Sequence, residues 1–233
     1  MLLYQSPNGY CYNSDSIFLA HFIASFSPKG KLLDVGCGIG VLSLILAREF
    51  DIKISIIDKQ LHMINFAKHN FAINNIEAYA YNEDFIDFEP KEKFDVIISN
   101  PPFYSPNVLQ SSETIINTAR YAHHLPLEDF FRKVHKVLTP QGRFYFCYDS
   151  KQIVDILYFT RKYNLTPEVI RFVHSKKDKD SKLVMIACRH NSKAVAKVFK
   201  PLVVFEDNNE YSKEAKEAFA FASLHSIKGE MHE

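Results

Sequence analysis

The sequence predicts a doubly wound α/β fold. Five parallel strands carry helices on both faces and lead into an antiparallel hairpin, giving a seven-stranded, mostly parallel sheet with one antiparallel strand. Three observations predict it. Short runs rich in β-branched and aliphatic residues alternate with stretches whose apolar residues recur at helical spacing. Of only seven glycines, Gly36, Gly38 and Gly40 fall within five residues, directly after the first such run. The last two strand-like runs are joined by a polar connector too short for a crossover helix, so they must run antiparallel.

Residues 31–35, Lys31-Leu32-Leu33-Asp34-Val35, read as the first buried strand. Residues 41–49 follow as a helix with Leu42, Ile45 and Leu46 on one face. A second strand over 53–57 closes on Asp58. From 60 to about 70, Leu61, Ile64, Ala67 and Phe71 keep helical spacing, and 77–81 make a third strand. The fourth, 94–99, ends on Asn100. In the next helix Leu127, Phe130, Phe131, Val134, Val137 and Leu138 follow the i, i+3, i+4, i+7 pattern, and Pro126 suits its first turn. Thr139-Pro140-Gln141-Gly142 turns the chain into a fifth strand over 143–148, followed by a helix around 151–163. Strands over 166–174 and 182–189 flank the polar run 175–181.

With 233 residues, 47% of them apolar, one core is expected: a single domain over 1–233 with a leading segment 1–30, a core sheet 31–190 and a C-terminal extension 191–233. Lys and Arg number 28 against 27 Asp and Glu, so any surface for a polyanion must be local. Cys11, Cys37, Cys147 and Cys188 stand far apart without a C-x-x-C pair, which argues against a zinc site or a disulfide framework. No basic segment precedes an apolar one at the N-terminus, and no apolar run is long enough to cross a bilayer. The expectation is a cytoplasmic protein with reduced thiols, no metal and no membrane partner.

Three stretches carry chemistry. Glycines packed into Gly36-Cys37-Gly38-Ile39-Gly40, at the turn between strand and helix, imply a backbone passing close to a ligand. A dinucleotide loop would space its third glycine one position later, and Asp34, just before the first glycine, would repel a phosphate. An acid there suits a cation such as S-adenosylmethionine, with its sulfonium and ammonium, although Asp34 could equally anchor the turn. Asp58, followed by Lys59, stands where ribose hydroxyls are usually accepted. After the third strand, Tyr81-Asn82-Glu83-Asp84-Phe85 offers Asp84 to an adenine amine and the Phe85 ring to the base face; the alternative is that Asp84 caps a helix. The third stretch is Asn100-Pro101-Pro102-Phe103. Its two prolines fix φ and remove two N–H donors, so the loop is rigid and offers acceptors. The Asn100 side-chain oxygen and the Pro101 carbonyl can take the two hydrogens of an exocyclic amine, turning its lone pair toward a methyl donor, while Phe103 stacks on the planar group.

Residues 34–40 together with Asn100-Pro101-Pro102-Phe103 resemble the class I, Rossmann-like S-adenosylmethionine-dependent methyltransferases of the N-P-P-[YF] amino-methylating group. Three further stretches narrow the resemblance: Tyr4-Gln5 with 9–20, Ala119-Arg120-Tyr121 leading into Leu127-Glu128-Asp129, and 200–205 with Glu210-Tyr211-Ser212. They are similar to bacterial valine-tRNA adenine-N6 methyltransferases, which modify the adenosine 3′ of the anticodon. The resemblance implies that Tyr12 to Asp15 close over the methionine end of the cofactor. It also implies that the catalytic loop is Asn100, Pro101, Pro102 and Phe103, and that the substrate is tRNA. At Gln141, where relatives tend to carry a glycine, only the turn should be affected.

An adenine stacked in a tRNA loop must be extruded, which calls for local positive charge near Asn100. Arg120, His123 and His124 follow the catalytic loop, and Arg171, Lys176, Lys177, Lys179 and Lys182 cluster around the hairpin connector, interrupted by Asp178 and Asp180. That connector reads either as a phosphate contact or as a solvated loop. Lys193, Lys197 and Lys200 form another basic stretch. Two other readings remain: a protein glutamine-N5 methyltransferase, whose relatives usually bring a separate helical N-terminal domain, and a non-catalytic module that binds RNA or a partner.

Overall fold

The computed structural model describes residues 1–6, 12–101 and 126–229. Its strands are β1 (Leu2–Gln5), β2 (Gly30–Val35), β3 (Ile52–Ile57), β4 (Ala78–Tyr81), β5 (Phe94–Ser99), β6 (Leu138–Asp149), β7 (Leu165–His174), β8 (Ser181–His190), β9 (Lys197–Val198), β10 (Leu202–Val203) and β11 (His225–Lys228). Its α-helices are α1 (Ser14–Ala24), α2 (Val41–Glu49), α3 (Leu61–Ile73), α4 (Leu127–Val137), α5 (Ile153–Lys162) and α6 (Lys213–Ala222).

The main sheet runs β10-β7-β8-β6-β5-β2-β3-β4, with β9 also paired to β7. β2, β3, β4, β5 and β6 are mutually parallel, and β8 is antiparallel to both β6 and β7. The strands of the expected seven-stranded sheet are therefore β2 to β8, within a few residues of the expected bounds. Two short strands extend the sheet beyond β7.

The buried faces explain the pairing. Leu32, Leu33, Ile54, Ile56, Val96, Ile97 and Ile98 are all buried, so the central strands carry near-continuous apolar runs, as a parallel sheet covered on both faces requires. In β6 the alternation is divided between the faces. Phe144 and Phe146 stack at 4.5 Å and pack edge-on against Phe131 of α4, while Tyr145 meets Phe26, just beyond α1, at 5.3 Å. α4 buries Phe130, Phe131, Val134 and Val137 along one stripe. Its first turn carries Glu128 and Asp129 and its last His135 and Lys136, the polarity its dipole favours. β6 starts earlier than expected, at Leu138, because its pairing with β5 shifts between Phe94 and Val96 and the turn residues are absorbed into that irregularity.

Glycine is scarce, and asparagine takes over at several left-handed positions. Asn75 and Asn164, just past α3 and α5, have φ of 55° and 54°. The ends of the described chain are joined: β1 pairs in parallel with β11, the Met1 amine donates to the Ser223 carbonyl, and Arg48 of α2 donates to the carbonyls of Ala222 and Phe221. α6 is capped by Ser212, whose hydroxyl accepts from the Ala215 amide at 3.1 Å. Neither β1, β11 nor α6 was expected from periodicity, since two are four-residue strands and the third is a short alanine-rich helix.

Candidate active site

Chain direction locates the site. From β2 the chain steps to β3 and β4 on one side, then returns to lay β5 and β6 on the other, so the order reverses between β2 and β5. Val35 pairs with Ser99 at the carboxyl ends of these two strands, and the Ser99 hydroxyl donates to the Val35 carbonyl at 2.7 Å. Gly36 and Asn100 are the next residues, so the glycine turn and Asn100 face each other across the crevice. An open-mouthed pocket of about 990 Å³ occupies it.

The three glycines do different work. Gly36, Gly38 and Gly40 all have positive φ, at 67°, 53° and 81°. A Cβ added at Gly40 would lie 3.0 Å from Phe71 Cε2 and 3.3 Å from Ala67 Cβ, so Gly40 lets α2 approach α3. At Gly36 and Gly38 a Cβ would meet nothing within 4 Å, because those positions border the open pocket. The turn is fixed from below. The Gly36 amide donates to the Ile57 carbonyl at 2.9 Å, and the Gly38 amide donates to Asp58 Oδ2 at 3.0 Å.

Asp58 is buried, and burial raises its pKa against the opposing effect of the Gln60 and Gly38 amides that donate to it. Asp34 is 1% exposed, with Oδ2 accepting from both the amide and the hydroxyl of Ser43. Burial pushes its pKa up to about 7 despite those bonds. Both carboxyl groups thus sit on one wall of the pocket where a cation would relieve the cost of ionising them.

Tyr12, Asp34, Gly36, Cys37, Gly38, Asp58, Lys59, Asp84, Phe85 and Asn100 all line the pocket. Asp84 also does what a cap does: its Oδ1 accepts from the Ile86 amide at 2.9 Å, opening a turn that carries the buried Phe85. Asp15 and Gly40, also expected in the cofactor site, lie outside the lining. Asp15 is largely buried, accepts from the Asn13 side-chain amide at 2.9 Å, and has its pKa raised by burial to about 6. Pro101 is buried. Pro102, Phe103, Arg120, His123 and His124 lie outside the described residues.

Among the basic residues expected at the substrate, Lys176, Lys177 and Lys179 lie in the connector between β7 and β8. β7 runs parallel to β6, so the connector is at the same sheet edge as Asn100. Lys177 pairs with Asp207 at 2.6 Å, and Lys179 lies 3.8 Å from Asp178. Lys182 is exposed at the start of β8. Arg171 does not belong with them. It is 7% exposed, paired with Glu214 at 2.6 Å, and donates from Nε to the Lys200 carbonyl, because its position in β7 faces the incoming α6. Lys193, Lys197 and Lys200 are exposed and make no ion pair among the described residues.

Sequence reasoning missed three contributors. Asn70, fully buried in α3, donates to the carbonyls of Ile39 and Tyr4 and accepts from the Tyr4 amide, tying the glycine turn to β1. Ser16 and Cys147 hydrogen-bond the two ends of the Asn100 amide: Nδ2 donates to Ser16 Oγ at 2.9 Å, and Cys147 Sγ donates to Oδ1 at 2.9 Å. Strand register held the one available signal. Phe146 pairs with Ser99, so Cys147 is level with Asn100.

The comparisons with known proteins agree with this geometry. Two relatives carry the name tRNA1(Val) (adenine(37)-N6)-methyltransferase. The one from Vibrio campbellii is 29% identical over 143 residues, 60% of this chain and 59% of its own length. The one from Christiangramia forsetii is 26% identical over 211 residues, 88% of this chain and 87% of its own length. A solved structure from Agrobacterium tumefaciens, titled a predicted O-methyltransferase, superposes with a TM-score of 0.71 at 14% identity over 91% of this chain and 99% of its own, which shows the fold. The family model of the methyltransferase small domain matches residues 13–157, from the start of α1 into α5 and across both the glycine turn and Asn100. The chain belongs to the methyltransferase small domain family.

Proposed function

We propose that the protein transfers a methyl group from S-adenosylmethionine to the exocyclic N6 amine of an adenosine in tRNA, next to the anticodon. The observation that carries the reading is the juxtaposition at the reversal point: an open glycine turn flanked by two buried acids faces a side-chain amide at the end of the neighbouring strand.

The residues fit the cofactor. The space above Gly36 and Gly38 admits a ligand against bare backbone, and Asp34 and Asp58 supply acceptors on a wall suited to positive charge and hydroxyls. Asp84 keeps Oδ2 for an amine, and Phe85 and Met63 offer apolar surface to a base. Tyr12 lines the same pocket as Ser16 and Asn100. When bound, S-adenosylmethionine supplies an electrophilic methyl group.

The protein's share of the chemistry is orientation. Asn100 Oδ1 and the Pro101 carbonyl accept the two hydrogens of the target amine, so its nitrogen is drawn toward tetrahedral geometry and its lone pair, withdrawn from delocalisation into the ring, points at the methyl donor. No strong base is needed, because the proton leaves after the nitrogen has become cationic. Phe103 would stack on the adenine. Lys176, Lys177 and Lys179, with Arg120, are assigned to the phosphates, and Lys193, Lys197 and Lys200 extend that basic surface along the β7 edge. The chain acts as a single domain, with residues 1–30 closing the cofactor pocket and 191–233 backing that segment.

A planar amide nitrogen, as in glutamine, would satisfy the same acceptors; the exposed lysine stretch and the names of the relatives favour RNA. The test is incubation with labelled cofactor and total tRNA from a strain lacking the protein, followed by nucleoside mass spectrometry. N6-methyladenosine in a tRNA is the expected product; label in protein glutamine, or none in tRNA, overturns the reading.

A further inference from the structure

We infer that Cys147 is a positioning residue that locks the Asn100 amide in one orientation, with Ser16 bonded to the other end of the amide and the second lone pair of its oxygen left for the target amine. The inference rests on the reading of Asn100 as the group that receives that amine. An asparagine side chain has a donor end and an acceptor end of nearly the same shape, and rotation by half a turn exchanges them. At the end of β5 that exchange would place an NH2 where the substrate's own NH2 must be accepted, and the site would fail. Something has to hold the oxygen on the correct side.

The structure supplies two restraints from different elements. Cys147 in β6 donates its thiol proton to Oδ1, and Ser16 in the first turn of α1 accepts from Nδ2, each at 2.9 Å. The thiol is the discriminating partner. A serine hydroxyl can donate or accept, so it would tolerate a flipped amide, whereas a thiol is a weak acceptor and would face an NH2 poorly. Cys147 is fully buried, and burial, with the nearby Asp15 charge, raises its pKa well above the ordinary thiol value. It therefore keeps its proton and remains a donor across the physiological range. A carbonyl oxygen accepts two hydrogen bonds, so one lone pair of Oδ1 stays available after Cys147 has taken the other.

The inference is tested with two substitutions of similar size. Cys147→Ser keeps a donor and should hold kcat within about twofold of wild type; Cys147→Val keeps volume without a donor and should lower kcat by about three- to tenfold with the KM for the cofactor unchanged. In an Asn100→Ala background the same valine substitution should have no further effect on kcat, since the residue acts only through Asn100. A readout independent of activity is the S–H stretch in the Raman spectrum, assigned to Cys147 by difference from Cys147→Ser. It should lie at lower frequency than the bands of Cys37 and Cys188 and rise in Asn100→Ala. Equal kinetics for the serine and valine variants, or a Cys147 band unmoved by Asn100→Ala, overturns the inference. If wild type methylates no RNA while the band moves as expected, the restraint stands and the functional reading is the part that fails.

Discussion

The two walls of the crevice are built by different means. The wall under the glycine turn is made of backbone: amides of Gly36, Cys37 and Gly38 anchored to the end of β3, with acids at the strand ends. The wall around Asn100 is made of side chains that meet from distant parts of the chain, Ser16 from 84 residues before it and Cys147 from 47 residues after. A backbone wall tolerates few residues other than glycine and so marks itself in the sequence. A side-chain wall can be made by many combinations of small polar residues, and no local pattern announces it.

The largest expected effect lies on the side-chain wall. Asn100→Ala should reduce turnover by about 100- to 1,000-fold, the usual cost of losing one preorganised group from a transition-state site, while cofactor affinity changes by less than about threefold. Single-turnover methylation of tRNA and calorimetric titration of the cofactor measure the two separately. Comparable losses in both would mean that the walls are not divided in this way.

On the backbone wall the order reverses. Gly38→Val forces a β-branched residue to φ of 53° and sends its side chain into the pocket. Cofactor affinity should fall by about tenfold or more, with about 1–2 kcal/mol of backbone strain added to the folded state. Gly40→Ala should instead act mainly on stability, by about 1–3 kcal/mol, because its Cβ would press on Phe71 and Ala67 rather than on a ligand. Thermal melts with and without cofactor distinguish the two glycines.

This contrast governs how much could be read beforehand. The central strands and α2, α3 and α4 were legible because each buries an unbroken or periodic apolar set, as in Leu32-Leu33 or Phe130-Phe131-Val134, although Leu61, read as part of the α3 stripe, is 58% exposed. Gly36, Asp58 and Asn100 were legible as pocket-lining positions because each is the first residue after a strand, and Gly38 because glycines cluster around it. β1 and β11 were not, since four residues that pair only with each other, at opposite ends of the chain, carry no periodic signal. Asn70, Ser16 and Cys147 escaped because their role depends on tertiary register. Arg171 was misread for the same reason: a basic residue near a basic connector looks exposed until α6 brings Glu214 against it.

Asp34 separates the two roles left open for it. Its folded-state pKa of about 7 lies above that of an unfolded carboxyl, so the native state binds the extra proton and stability should fall as pH rises from about 4 through 7. Asp34→Asn keeps an acceptor for Ser43 and should flatten that part of the stability curve. A cationic ligand favours the ionised carboxyl, so wild-type cofactor affinity should climb with pH up to about 7, with proton release on binding. If Asp34 only anchors the turn, the asparagine variant will show the same pH dependence of affinity as wild type. Calorimetry in buffers of different ionisation enthalpy decides between them.

The smallest expected effect lies at the opposite edge of the sheet, where a left-handed turn has no ligand to serve. Gln141 has φ of 64°, and the Arg189 guanidinium donates to its side chain at 3.2 Å across an exposed surface. Gln141→Gly removes the steric cost of that conformation and loses one weak surface hydrogen bond, partly offset by the greater freedom of the unfolded chain. A net gain of about 0.5 kcal/mol, or about 1–2 °C in Tm, is expected. Turnover and cofactor affinity should not move. Gly142 beside it must stay, because a Cβ there would fall 2.7 Å from Leu138 Cγ. The pair is a control for the active-site turn: where no ligand approaches, a left-handed position tolerates a side chain at modest cost, so the glycines at 36 and 38 answer to the pocket above them rather than to the turn alone.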